Sequence, residues 1–89
     1  NLGAERVDRE RLVGVLRDYA DFARIEVDWE DIEETGTGEL VNLAAMLSPY
    51  GAREKQALLQ AATLNERAET LIALAEMEMA RAKTGAVLQ

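Results

Sequence analysis

The stretch that decides the fold is LNERAETLIALAEMEM, residues 64–79. Its apolar residues recur at the spacing of a single helical face: Leu64, Ala68, Leu71, Ile72, Ala75 and Met79. Thr63 and Glu66 stand three positions apart just before this run, which is the spacing of a capping box. A long amphipathic helix is therefore predicted from Thr63 to about Lys83, with Gly85 as its end.

The segment before this helix predicts two shorter helices. Residues 52–61 form one, in which Leu58 and Leu59 point inward. Residues 48–51, Ser-Pro-Tyr-Gly, separate it from a helix that begins at Glu39. The predicted inward face of that earlier helix consists of Leu40, Leu43, Ala44 and Leu47.

The first third of the chain carries the dipeptide Val-Asp at two predicted helix starts. Asp8 and Asp28 are N-cap candidates, because a short acidic side chain accepts a hydrogen bond from the first-turn amides. In the first helix, apolar side chains form one face and the helix ends near Arg24; the face consists of Leu12, Leu16, Tyr19, Ala20 and Ala23. The second helix is short and stops at TGTG, where Gly36 suits the position after the C-cap.

These elements predict an all-α fold, a small bundle of four to five helices. Eighty-nine residues suit one domain, and the alanine- and leucine-rich composition favours helices over a β-sandwich. We expect a lead-in over residues 1–7, the bundle over 8–84 and a frayed tail over 85–89.

Composition excludes several classes of partner. A net charge of −7 opposes binding to a phosphate backbone, which needs Lys and Arg, so we expect no nucleic acid. The longest uncharged run, residues 40–52, is shorter than the ~20 residues that a membrane span needs. No secretory leader is visible, and the absence of cysteine suits a reducing compartment, so a cytoplasmic location is expected.

Three patterns could form a ligand-binding or catalytic site, but each lacks residues that such a site needs. Counted from Asp28, a calcium-type loop has Ile32 and Glu33 where it needs a ligand and a glycine, so a solvated acidic helix face is the simpler interpretation. TGTG lacks the lysine of a phosphate-binding loop. Ser48 and Lys55 form a conceivable hydrolytic pair, but no base or oxyanion donor accompanies them. We expect no catalytic residue, metal or cofactor.

A few side chains suit contact with a partner. Trp29 and Tyr50 are aromatic, as binding hot spots often are, although Trp29 beside the second N-cap favours core packing. Met77 lies off the main apolar stripe of the long helix, unlike Met79, which is predicted to be core. Tyr50 and Met77 are therefore candidate interaction residues.

The ordered combination of these segments resembles the helical, C-terminal subdomain of the N-terminal substrate-binding domain of Lon ATP-dependent proteases. REKQALLQ at 53–60 and LNERAETLIALAEMEM at 64–79 carry the resemblance. The matching positions are Lys55-Gln56, Leu58-Leu59, Glu66-Arg67, Leu71 and Leu74. Upstream, LVGVLRDYADF, VDWEDIEE and LVNLAAMLSPY look like the family's small stand-alone bacterial members, so the resemblance covers residues 7–81.

The resemblance implies a non-enzymatic module that binds unfolded or tagged polypeptides, or a protease partner, in ATP-dependent proteolysis or protein quality control. In the family the helical part follows a β-rich subdomain and precedes ATPase and protease domains; none of these patterns occurs in the 89 residues. No catalytic or nucleotide-binding residue is carried over. Four residues are carried over as motif residues, most simply structural ones: Glu66 for capping, and Lys55, Gln56 and Arg67 for the turn between helices or a subdomain contact. Lys55, Gln56 and Arg67 are also candidate interaction residues.

Two other classes of function remain open at this stage. One is a purely structural or dimerising bundle that supports the missing β-rich subdomain, which an exposed apolar face would favour. The other is an enzyme or an ion-binding module, against which the absence of His and Cys weighs.

Overall fold

The computed structural model describes the chain from residue 6 to residue 88, with side chains described for residues 6–83. The fold is an all-α bundle, as predicted. Its five helices are α1 (Arg9–Ala23), α2 (Trp29–Glu34), α3 (Thr37–Leu47), α4 (Ala52–Gln60) and α5 (Leu64–Leu88). Of the predicted lead-in and tail, residues 1–5 and residue 89 lie outside the described residues.

The predicted N-caps of α1 and α2 are confirmed. The Arg11 amide donates to Asp8 Oδ1 at 3.1 Å, and Asp28 Oδ1 accepts from the amides of Glu30 and Asp31. These bonds satisfy first-turn amides that have no partner within the helix. The bounds of both helices thus follow from local chemistry that is visible in the sequence.

Helix α1 ends near Arg24, as predicted, through a left-handed residue. Arg24 has φ 59° and ψ 44°, which places it in the αL region that non-glycine residues rarely occupy. The amide of Ile25 then donates to Ala20 O at 2.8 Å. This closure turns the chain back at the end of α1 and sends Ile25 and Val27 toward α3.

Gly36 follows Thr35, the C-cap residue of α2, as predicted. Its φ is −62°, so it does not close α2 in the left-handed region; it is the N-cap residue of α3, which begins at Thr37 rather than at Glu39. Instead, Thr35 ends α2 in an extended conformation with its amide on Ile32 O at 3.1 Å. The two helices are therefore joined by two residues, which holds α2 close to the start of α3.

The capping box before α5 is confirmed. The Glu66 amide donates to Thr63 Oγ1 at 3.1 Å, and Glu66 Oε2 accepts from the Ala62 amide at 3.1 Å. The predicted end at Gly85 is wrong, because α5 continues to Leu88. Glycine lowers helix propensity by only about 1 kcal/mol, which a long helix tolerates near its end.

Helix α5 lies at the centre of the bundle and packs against α1, α3 and α4. Its stripe supplies five buried core residues, as predicted, and Met79 packs partly buried against them. Among the other core side chains, the most completely buried are Leu12, Leu40, Val41 and Leu58. Leu58 is the single buried residue of α4, whereas the predicted inward position of Leu59 is wrong, since that side chain is 66% exposed.

The predicted inward face of α3 is only half correct. Leu40 is buried and Ala44 partly so, but Leu43 is 39% and Leu47 78% exposed. Val41 and Ala45 fill the core instead. Helix α3 is apolar on nearly all sides, so its pattern alone does not select a face. Its rotation leaves one apolar side facing away from α5.

Candidate functional site: an apolar groove

An apolar groove lies between the second half of α1, the connector that follows it, α2, and α3 with its exit loop. We call it the α1–α3 groove. Its lining residues are Leu16, Tyr19, Ala20, Ile25, Val27, Trp29, Ile32, Leu40, Leu43, Ala44, Leu47, Ser48, Pro49, Tyr50, Leu71 and Ala75. The volume is about 240 Å³, below the ~300–1,000 Å³ of sites that enclose drug-sized ligands. This size suits a few side chains better than a whole small molecule.

The rim of the α1–α3 groove exposes large apolar side chains. Ile25 on one side and Leu43 and Leu47 on the other are all substantially accessible. Leu71 and Ala75 of α5 are buried beneath them. Clustered apolar side chains beside a concave surface indicate an interaction site more strongly than scattered ones do.

One end of the α1–α3 groove carries a polar group. The Tyr19 hydroxyl donates to Glu78 Oε2 at 2.5 Å, which links α1 to α5. The rings of Tyr19 and Tyr50 lie 6.3 Å apart in a tilted arrangement that aromatic pairs favour. The carboxylate of Glu78 therefore lies beside the aromatic end of an otherwise apolar surface.

Both tyrosines are harder to ionise than usual. Burial, followed by the hydrogen bond to Glu78 and its negative charge, raises the pKa of Tyr19 well above its ordinary value. Burial and then the Glu78 charge raise the pKa of Tyr50 to about 12. Each effect penalises the phenolate: burial removes its hydration and Glu78 repels its charge.

These shifts predict a loss of stability at high pH. The unfolded chain releases tyrosine protons near pH 10, whereas the folded chain keeps them, so the free energy of unfolding falls as pH rises above about 10. Urea denaturation at pH 9 and pH 11 measures the loss. In Tyr50→Phe the loss is expected to be smaller than in the wild type; an equal loss in both proteins would contradict this account of Tyr50.

Of the five predicted interaction residues, only Tyr50 lines the α1–α3 groove. Lys55 is partly buried and its Nζ donates to Met46 O at 3.0 Å. Ser48 Oγ donates to Ala45 O at 2.8 Å. The structure thus brings Ser48 and Lys55 to the same helix end, where both satisfy carbonyls in the last turn of α3. A cation there also complements the helix dipole.

Arg67 performs a similar task at the end of α4. Its Nε donates to Leu58 O at 2.9 Å and its Nη2 to Ala61 O at 3.5 Å. Its Nη1 donates to Asn42 Oδ1 at 2.5 Å, so one guanidinium links α5 to α4 and α3. Its observed contacts hold the bundle together.

The remaining predicted residues are scattered. Gln56 is exposed on α4, and Met77 is 58% exposed on α5. Trp29 is partly buried, lines the groove, and has the Arg17 guanidinium 4.8 Å from its ring centroid. The sequence analysis did not predict Ile25, Leu43 and Leu47 as groove residues. The feature that could have indicated the two leucines is that α3 contains more apolar residues than a single core-facing side needs.

The acidic run of α2 is a capped helix, as favoured over a calcium loop. The amides of Glu30 and Asp31 donate to the Asp28 side chain, and α2 contributes no buried residue. Among the side chains at 6–83, no group of three or more potential metal ligands lies close enough to hold an ion. None of the described helices is both long and apolar enough to cross a membrane.

Comparison with known proteins gave no match to a family model, a curated protein or a solved structure.

Proposed function

We propose that this chain is a non-catalytic polypeptide-recognition module. The observation that carries the proposal is the α1–α3 groove, with exposed leucine and isoleucine on its rim and mostly apolar side chains in its lining. An apolar segment of another polypeptide is the occupant. Its side chains would enter between α1 and α3, as in helix-in-groove recognition.

The resemblance to the Lon N-terminal domain adds a biological setting to this proposal. That domain engages unfolded or tagged substrates, and a groove for apolar segments suits such a task, because unfolded chains expose the residues that folded ones bury. We propose that the module acts in cytoplasmic protein turnover, beside a protease partner or a β-rich subdomain of the same protein. The cysteine-free composition suits that compartment.

Replacing Leu47 is expected to weaken polypeptide binding. Leu47→Ser removes an exposed apolar side chain from the rim, and losing such a contact typically costs about 1–2 kcal/mol, or roughly five- to thirtyfold in Kd. The matched control is Leu59→Ser, which changes another strongly exposed leucine, on α4, that does not line the groove. Titration of each protein with a reduced, unfolded model protein, followed by amide chemical shifts, measures both affinity and location.

The three outcomes are distinct. Weaker binding in Leu47→Ser alone, with shifts at Tyr50 and Leu43, supports recognition in the groove. No shifts in the wild type at high ligand excess would contradict the proposal. Equal effects of both substitutions would place binding outside the groove.

A structural or dimerising bundle is the second candidate function. Met46 and Leu59 are strongly exposed apolar residues that do not line the groove, so α3 and α4 present further apolar surface to a β-rich subdomain or to a second copy. Sedimentation equilibrium distinguishes this candidate, since a dimer that dissociates in Leu59→Ser would favour it.

A further inference from the structure

Most residues that line the α1–α3 groove come from one acidic segment of the chain. Residues 16–50 supply fourteen of the sixteen lining residues. The same segment holds nine acids and two bases, a net charge of −7, which equals that of the whole chain. The remaining residues, 1–15 and 51–89, hold eight acids and eight bases. The excess negative charge thus lies in the segment that supplies most of the groove lining.

These charges are available to a partner. All nine acids of residues 16–50 are exposed. Within residues 6–83 the ion pairs join Arg11 to Glu69 and Glu76, so they involve none of the nine. Glu78 adds a carboxylate at the tyrosine end of the groove. An apolar groove whose lining segments carry exposed acids is complementary to a ligand that is apolar in the middle and positive at its ends.

We propose that the α1–α3 groove selects apolar polypeptide segments that are flanked by lysine or arginine and rejects those flanked by acids. This inference rests on the proposed polypeptide-recognition function and names its substrate class. Apolar side chains supply the contact in the groove, and the basic flanks meet the acids of α2 and of the connector before it. Juxtaposed acids on the ligand would be repelled, so the same charges supply selectivity.

Three labelled peptides test the inference by fluorescence anisotropy with the full chain. The first has a leucine-rich core with two lysines at each end, the second has the same core with glutamates, and the third keeps the lysines around a serine core. The lysine-flanked leucine peptide is expected to bind at least about tenfold more tightly than the glutamate-flanked one in 0.1 M NaCl. The ratio is expected to shrink in 1 M NaCl, where charges are screened beyond about 3 Å.

A pair of charge variants tests whether the selectivity for basic flanks comes from acids beside the groove. Glu26 is exposed between the groove residues Ile25 and Val27, so Glu26→Gln is expected to weaken binding of the lysine-flanked peptide by about two- to fivefold. Glu69→Gln removes the same charge from α5, where Glu69 pairs with Arg11, and is expected to leave the affinity unchanged.

The outcomes separate this inference from the function on which it rests. Equal affinity for the lysine- and glutamate-flanked leucine peptides overturns the charge selectivity and leaves polypeptide recognition standing. Failure of all three peptides to bind overturns the proposed function as well. Equal binding of the serine-core peptide and the leucine-core peptide places binding outside the groove and overturns both.

Discussion

Replacing Leu58 by alanine is expected to lower the free energy of unfolding by about 2–5 kcal/mol, whereas the same change at Leu59 alters it by less than about 0.5 kcal/mol. The two leucines are adjacent on α4, but Leu58 is 1% exposed and Leu59 is 66% exposed. Leu58 is the single buried residue of α4, so its truncation leaves a cavity where that helix contacts the core. For a domain whose total stability is of the order of 5–15 kcal/mol, this loss is large.

Urea denaturation followed by circular dichroism at 222 nm measures both variants. Because the two substitutions are chemically identical, any difference between them reports burial. Similar losses of stability in both variants would contradict the orientation of α4. A large loss of stability only in Leu59→Ala would mean that α4 faces the core with its opposite side. The m-value is expected to stay constant, since neither change alters the surface that unfolding exposes by much.

Replacing Arg67 by alanine is expected to cost about 1.5–3 kcal/mol of stability. The guanidinium donates to Leu58 O, Ala61 O and Asn42 Oδ1, and hydrogen bonds from a charged donor fall in this range. Its removal leaves the carbonyls at the end of α4 without their side-chain donor. Lysine is not expected to restore the stability, because it lacks the planar fork that reaches three acceptors at once.

The control for Arg67 is Arg53→Ala, which removes an exposed arginine from the first turn of α4 and is expected to change stability by less than about 0.5 kcal/mol. The same proteins distinguish two roles for Arg67, one in the bundle and one in binding. If Arg67 is structural, the Arg67→Ala protein is less stable than the wild type. Unchanged stability of Arg67→Ala with weaker polypeptide binding would instead return Arg67 to the interaction surface that the family resemblance suggested.

The contacts of Lys55 and Arg67 give a physical reason for motif residues whose simplest predicted role was at the turns between helices. Each cation donates to carbonyls in the last turns of a helix, Lys55 at α3 and Arg67 at α4. Short helices joined by tight turns leave such carbonyls without intrahelical partners, and long cationic side chains from the next helix satisfy them. The motif thus stabilises the junctions that shape the exit from α3, on which Pro49 and Tyr50 line the groove.

Local sequence chemistry was sufficient for most of the fold. The starts of α1, α2 and α5 depend on Asp8, Asp28 and Thr63, whose side chains bond to amides two or three residues away. The stripe of α5 depends on a helical period that a single segment contains. Interactions of this kind need no knowledge of the neighbouring helices, and their predictions were confirmed.

Only the tertiary structure decided the rest. Leu58 and Leu59, or Leu43 and Val41, satisfy the same helical pattern, and the positions of α5 and α3 select which of each pair is buried. Gly36 is both the residue after the C-cap of α2 and the N-cap of α3, and the second role was not predicted. The α1–α3 groove, of which the sequence indicated Tyr50 as a contact residue, is made by side chains from four helices and two connectors. Helical periodicity places a residue on a face, but which face meets the core depends on long-range packing, and so does the surface left for a partner.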